Sequence, residues 1–336
     1  MVLFQNRIIY MPGVPLGAKR ERIQDYKHSF FGIDWKEHRR SIKTSDGKLL
    51  SYVVGKSKQK EEEDGGVVVV YFQGYLSHFR LPLPQAPFHE FMSLRCKLRT
   101  NLIPHNTNKP DLKRNASSTP PRLPGLSSLL SALRFSSTTY TFLVPSYRGY
   151  WSSTGRPSQR GITRDCAAIF SHLHASYPPR TRFVLWGHSI GCGIAMAAWA
   201  DYLKSGGAGK RDVVGIVLET PFVSVDRMLR AIYPQRWLPY RYLSPFLTSH
   251  WDMASAAEVV RASGTKAKML VLRAQRDEIV PEEEAVAAER ILEDMVDGCG
   301  IRKVVIERAL HEECGARAQG KQEILEFLRG LEDNRA

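Results

Sequence analysis

Gly187-His188-Ser189-Ile190-Gly191 decides how this chain is read. Taken alone, Gly-x-Ser-x-Gly is a weak pattern, with about 0.1 matches due by chance in a chain of this length. Its surroundings give it weight. Residues 182–186 before it form a short apolar run suited to a strand, and residues 189–204 after it are apolar nearly all round until Gly206-Gly207 supplies a stop. Strand, sharp turn and helix in that order make a nucleophile elbow. The turn forces its serine into strained backbone angles, and small residues two before and two after let neighbouring backbone pass closely. Gly187 and Gly191 stand at those two positions, and Gly193 adds room. The turn lifts the hydroxyl above the sheet edge at a helix N-terminus, where developing negative charge is favoured. Ser189 is therefore the candidate nucleophile.

A serine hydroxyl is a poor nucleophile at neutral pH and needs a histidine to take its proton and a carboxylate to orient the imidazole. On folds built around this elbow the chain order is Ser, Asp or Glu, then His. Asp277 fits the carboxylate, because it follows the strand-like run 269–273 and precedes Ile279-Val280-Pro281 and a helix. Asp252 is a poorer candidate with no strand to place it, and Glu278 points elsewhere if Asp277 points inward. His311 fits the base. It follows Ile301–Ile306 by a few residues, and His250 is the other histidine after Ser189. His188 would project to the wrong side for base work and reads as a core or pocket-wall residue. An oxyanion hole needs two backbone N–H donors. Ile190 is expected to give one, and the loop Gln73-Gly74-Tyr75 the other, from Tyr75, with Gly74 permitting close backbone approach.

The rest of the chain alternates β and α. Residues 40–44 and 49–54 flank Asp46-Gly47, a hairpin turn. Residues 67–73 are a continuous β-branched run of the kind buried on both faces. Strand-like runs follow at 140–144, 182–186, 213–218, 269–273 and 301–306, with helical patterns at 161–176, 189–204, 281–295 and 322–331. Pro281 followed by Glu282, Glu283 and Glu284 is a good helix start. This order predicts an α/β fold, with a mostly parallel central sheet and helices on both faces. Residues 1–36 read as an N-terminal extension ahead of a single domain at 37–333. Two stretches break the pattern: 95–124, rich in Pro, Ser, Thr, Asn and basic residues, is expected to be a disordered insertion, and the aromatic stretch 222–260 a small helical cap or pocket wall.

The 336 residues are 43% hydrophobic and 24% charged, enough for a sizeable core. No apolar run approaches the roughly eighteen residues that span a bilayer, and the first residues do not form a signal peptide. Five irregularly spaced cysteines with no C-x-x-C fit reduced thiols inside a cell, in the cytoplasm or on the periphery of a membrane. No metal or organic cofactor is implied. The formal net charge is +14, with net +6 in residues 95–122 and net +5 in residues 1–43. Such charge would attract an acidic membrane surface, or belong to a solvated loop without a partner. No RNP motif, zinc finger or aromatic-interleaved basic stripe argues for nucleic acid. Nothing bears on oligomeric state.

Several blocks together resemble a known family: Val70-Tyr71-Phe72-Gln73-Gly74, Pro145-Ser146-Tyr147-Arg148-Gly149-Tyr150 with Ser152, Gly155 and Pro157-Ser158, the elbow, Glu219-Thr220-Pro221-Phe222, Asp277 with Pro281, and His311. Over residues 40–94 and 125–333 the chain looks like the Bem46-type and ABHD13/ABHD17-type α/β hydrolases, and like a fungal member of them. The resemblance implies the α/β-hydrolase fold and cleavage of carboxylic esters or thioesters in small molecules or acylated proteins. Some such proteins remove palmitoyl groups at membranes, and others are classed with serine peptidases. A catalytically silent scaffold is the third reading. The chain departs from the pattern at Gln73, where many members have His, in the basic insertion, and in showing no N-terminal membrane segment.

Overall fold

The computed structural model describes residues 5–13, 17–58, 66–74, 118–206, 213–232, 245–295 and 300–332. Eight strands occur among them: β1 Trp35–Lys43, β2 Leu49–Lys56, β3 Val67–Phe72, β4 Tyr140–Ser146, β5 Arg182–His188, β6 Val213–Glu219, β7 Lys268–Ala274 and β8 Ile301–Ile306. They make one sheet in the order β1-β2-β4-β3-β5-β6-β7-β8. β1, β2 and β4 pair antiparallel, and every other neighbouring pair is parallel. The β1–β2 turn is closed by Thr44, whose hydroxyl donates to Asp46 Oδ1 (2.7 Å) and accepts from the Lys48 amide (2.9 Å). Gly47 takes the positive φ of 74° that this turn demands.

β3 shows why the sheet must be covered twice. Successive strand side chains point to opposite faces, and all six positions of Val-Val-Val-Val-Tyr-Phe are buried. Val68, Val70 and Phe72 enter one core, while Val67, Val69 and Tyr71 enter the other. Each fully buried valine of this kind contributes about 1.5–3 kcal/mol. The described helices are α1 Gln5–Tyr10, α2 Leu123–Ala132, α3 Gln159–Ser176, α4 Ile190–Lys204, α5 Val225–Ile232, α6 Met253–Ala262, α7 Glu282–Met295 and α8 Ala318–Arg329. α3, α4, α6 and α7 build the first core, and α2 and α8 the second. α4 is apolar on nearly all sides because it packs against β5, α3 and α6. α3 is capped by Ser158, whose Oγ accepts from the Gly161 amide (3.2 Å), and Glu282, Glu283 and Glu284 fill the first turn of α7.

Three expected boundaries change. The described residues before 37 are part of the fold rather than an appendage. Tyr10 is fully buried, its hydroxyl donating to Ser249 Oγ (3.0 Å) and accepting from Trp251 Nε1 (2.8 Å), and Trp35 begins β1 and donates to Ser127 Oγ (2.7 Å). Of the expected disordered insertion at 95–124, residues 95–117 lie outside the described residues, but 118–124 are ordered. Ser118, Thr119, Pro120, Pro121 and Arg122 are buried and lead directly into α2. Their polar composition suggested solvent, whereas Pro-Pro sets up a helical turn and the Arg122 charge is paired inside. The expected cap at 222–260 is also smaller. Residues 233–244 lie outside the described residues, and α6 is a layer helix packed on α4 and α7. Trp251 was read as a cap aromatic, yet it is enclosed against the backbone of α4. A β-carbon at Gly193 would stand 3.0 Å from its Cβ.

Candidate active site

The last residue of β5 is His188 and the first of α4 is Ile190, leaving Ser189 alone to turn the chain. It does so at φ 54° and ψ −124°, a conformation that costs a non-glycine residue about 1–3 kcal/mol. The surroundings hold it there. The Ser189 amide donates to the Glu219 carbonyl (2.8 Å), and its carbonyl accepts from the Cys192 amide (2.9 Å). The Cys192 thiol, pushed well up by burial, donates to the Gly187 and Glu219 carbonyls (3.3 and 3.2 Å). Both expected glycines are required. A β-carbon at Gly187 would sit 2.5 Å from Cys192 Cα, and one at Gly191 would sit 2.1 Å from the Phe72 carbonyl oxygen. The second contact shows that the end of β3 lies directly against the elbow. Gly74 continues it, since a β-carbon there would be 2.6 Å from the His188 carbonyl oxygen and 2.9 Å from Ser189 Cβ. Ile190, the first helical residue, has an N–H with no partner inside the helix. Tyr75, the other expected oxyanion donor, lies outside the described residues.

Asp277 stands in the loop after β7, and its Oδ1 accepts from the Ile279 and Val280 amides (2.9 and 2.8 Å). His311 follows β8, is fully buried, and places Nδ1 3.0 and 2.9 Å from the two Asp277 oxygens. Since a carboxylate only accepts, Nδ1 carries the hydrogen and Nε2 the free lone pair. Burial raises the pKa of the Asp277 carboxyl, but the hydrogen bond and charge of His311, with the two amides, hold it below its usual value. Burial also disfavours a charged His311, yet the hydrogen bond and charge of Asp277, helped by Glu312 and Glu278, hold its pKa above the ordinary value. That is the balance a general base needs.

The sequence reading missed two residues that hold the base. Glu278 Oε2 accepts from the His311 amide (2.9 Å). His188 Nε2 lies 3.3 Å from the His311 carbonyl oxygen, so this nitrogen is the donor, and burial keeps the ring neutral. The two imidazole centroids are 5.3 Å apart. Neighbouring Glu278 pointed elsewhere as expected, but onto the main chain of the base, and His188 is a positioning residue more than a wall. The structure joins Asp277 to His311 directly, and His188, next to Ser189 in the chain, reaches the His311 carbonyl. Ser189 Oγ and His311 Nε2 are both buried and neither has a hydrogen-bond partner among the described residues. Nucleophile–base bonds of unliganded sites are often long and tighten around substrate. Among the described residues no group of His, Cys, Asp and Glu is placed to hold a metal ion.

Comparison with known proteins agrees with this architecture. The model of the alpha/beta hydrolase family matches residues 121–303, more than half of the chain. Protein bem46 of Schizosaccharomyces pombe is 28% identical over 149 residues, covering 44% of this chain and 45% of that protein. The lysophosphatidylserine lipase ABHD12 of Danio rerio is 29% identical over 151 residues, covering 44% of this chain and 38% of the lipase. The matched region thus spans less than half the length of either relative. Among solved structures, an esterase of Pyrococcus furiosus superposes with a TM-score of 0.54 at 16% identity, covering 91% of this chain and 92% of the esterase. At that identity the likeness speaks for the fold alone.

Proposed function

The chain belongs to the alpha/beta hydrolase family, and from that premise we propose that it is a serine hydrolase cleaving carboxylic ester or thioester bonds through an acyl-enzyme at Ser189. The observation that carries this reading is the buried Asp277–His311 pair, 2.9 Å apart, in one fold with a serine held at positive φ between strand and helix. With Nδ1–H on Asp277, His311 Nε2 takes the Ser189 proton as Oγ attacks the acyl carbon. The oxyanion that forms is received by backbone N–H groups, those of Ile190 and Tyr75 in our reading. The same proton then goes to the departing alcohol or thiol. A water, deprotonated by His311, releases the acid and restores Ser189.

The relative named a lysophosphatidylserine lipase favours lipid esters as the first class to test, with S-acylated protein thioesters the second. A net charge of +14 would assist either at an acidic membrane surface. No helix among the described residues is long and apolar enough to cross a membrane. A fluorophosphonate probe should label the protein and fail on Ser189→Ala. Wild type that has not met the probe should hydrolyse p-nitrophenyl esters and acyl thioesters in preference to aminoacyl amides. Equal labelling of both proteins would refute the nucleophile, and turnover of the amides alone would replace esterase with peptidase.

A further inference from the structure

We infer that Arg122 is a positioning residue for this chemistry, clamping the loop after β3 to the loop that carries the base. The inference rests on the serine-hydrolase reading of Ser189. Arg122 ends the Pro-Pro-Arg turn at the head of α2, far in sequence from every catalytic candidate. Its side chain is 4% exposed. One guanidinium nitrogen donates to Glu312 Oε2 (3.0 Å), the residue after His311. The other donates to the Gly74 carbonyl oxygen (3.3 Å). The negative charge of Glu219 also acts on the guanidinium. Glu219 is itself tied to both loops' neighbours, its carboxylate accepting from the Gly315 amide (2.6 Å) and its carbonyl from the Ser189 amide (2.8 Å).

A pair of this kind adds little net stability, because desolvating the charges offsets their attraction, although removing one partner alone strands the other charge and is destabilising. What the pair does supply is geometry. The fork of a guanidinium can bond a carboxylate and a carbonyl at once, at fixed angles. The carbonyl it holds is a sensitive one, since Gly74 packs against Ser189 so closely that even a β-carbon would collide. The end of β3 that it holds is thus the backbone packed on the elbow. Arg122 would therefore set the elbow relative to the base without touching substrate.

The test compares wild type, Arg122→Met, Arg122→Lys and Glu312→Gln in p-nitrophenyl ester hydrolysis. Rates are expressed per site titrated to completion with a fluorophosphonate, and each protein is melted to establish folding. Arg122→Met should lose about 100-fold in kcat with little change in KM, the size of a misplacement of about 1 Å between nucleophile and base. Arg122→Lys keeps the charge without the fork, should melt like wild type, and should fall between the two in kcat. Asp277, Glu312, Glu278 and His188 are the titratable groups that act on His311. Glu312→Gln removes a charge that favours protonated His311, so the acid limb of kcat/KM should move to lower pH. Arg122 variants within about twofold of wild type in kcat per titrated site would overturn the inference. So would an Arg122→Lys protein that loses cooperative melting and titratable sites together, since Arg122 would then serve the fold alone. A wild type that neither takes the probe nor turns over ester would instead refute the Ser189 reading beneath it.

Discussion

Gly191→Ala separates the geometry of the elbow from its composition. The added methyl carbon would lie 2.1 Å from the Phe72 carbonyl oxygen, 2.8 Å from Phe72 C and 3.1 Å from Gln73 C. All three are backbone atoms, so no flexible side-chain tip can give way. Restoring ordinary contact requires the end of β3 and the start of α4 to part by about 1 Å or more. Overpacking of this kind costs about 1–3 kcal/mol, which for a domain of this size lowers Tm by roughly 1–5 °C. The larger effect should be catalytic. The displaced strand end carries Gln73 and Gly74, which lie against Ser189, and a misplacement of about 1 Å at a reacting centre costs on the order of 100-fold in rate. Gly206→Ala is the matched control. No atom lies within 4 Å of a β-carbon there, but φ is 87°, so alanine is strained at a site remote from the elbow. Steady-state hydrolysis of a p-nitrophenyl ester, with thermal melts of all three proteins, reads both effects. The expected result is two destabilised variants, of which Gly191→Ala alone has lost kcat. If Gly191→Ala retains kcat within about threefold of wild type, contact between β3 and the elbow does not set the oxyanion geometry.

Three further outcomes follow from the structure. His311 must be neutral to accept a proton and its pKa is raised, so kcat/KM should climb with pH through a midpoint above about 6.5. In Asp277→Asn that midpoint should drop and kcat should fall by about 10³–10⁴-fold, as a pH–rate series on both proteins would record. Arg148→Met would leave the buried Asp165 carboxylate without its guanidinium (2.7 Å), costing about 3–5 kcal/mol at pH 7. Burial raises the Asp165 pKa to about 6 even with Arg148 beside it, and loss of the guanidinium raises it further, so in the variant the carboxyl is protonated at pH 5 and urea melts there should show a smaller loss. Ser189→Gly removes a β-carbon held at positive φ and an unpaired buried hydroxyl, and should raise stability by about 1–2 kcal/mol in the same assay while abolishing turnover.

Local patterning made most of the sheet legible. Buried β-branched runs such as Val67–Phe72 announce both their type and their extent. β1 was half lost to sequence reading because it is an edge strand. Lys36, Glu37, Arg39 and Arg40 face outward, and Arg40 sits at positive φ where the pairing register slips. α2 was hidden for a different reason. It directly follows a basic, proline-rich stretch, and one of its buried positions is Ser127, which is polar yet satisfied by Trp35 and the Leu123 carbonyl. Within the site, Ser189, Asp277 and His311 were legible because chain order and flanking elements constrain them. Glu278, His188 and Arg122 were not. Their partners are main-chain atoms or residues more than a hundred positions away, and no short pattern encodes such contacts.

The polar contacts around Ser189 divide atoms that hold from atoms that react. Every group that positions the base is engaged: Asp277 with the Nδ1–H of His311 and two amides, Glu278 with the His311 amide, and His188 with its carbonyl. The Ser189 amide and carbonyl are bound as well. Buried and unpaired among the described residues are Ser189 Oγ and His311 Nε2, along with His188 Nδ1 and the side-chain amide of Gln73. A buried polar atom without a partner costs about 1–3 kcal/mol, so a fold shaped by stability alone would have tied each to a neighbouring amide or carbonyl. For Ser189 Oγ and His311 Nε2, doing so would occupy the hydroxyl that attacks and the lone pair that accepts a proton in the acyl transfer we propose. The contacts that immobilise His311 through Nδ1, its amide and its carbonyl leave that lone pair unbound.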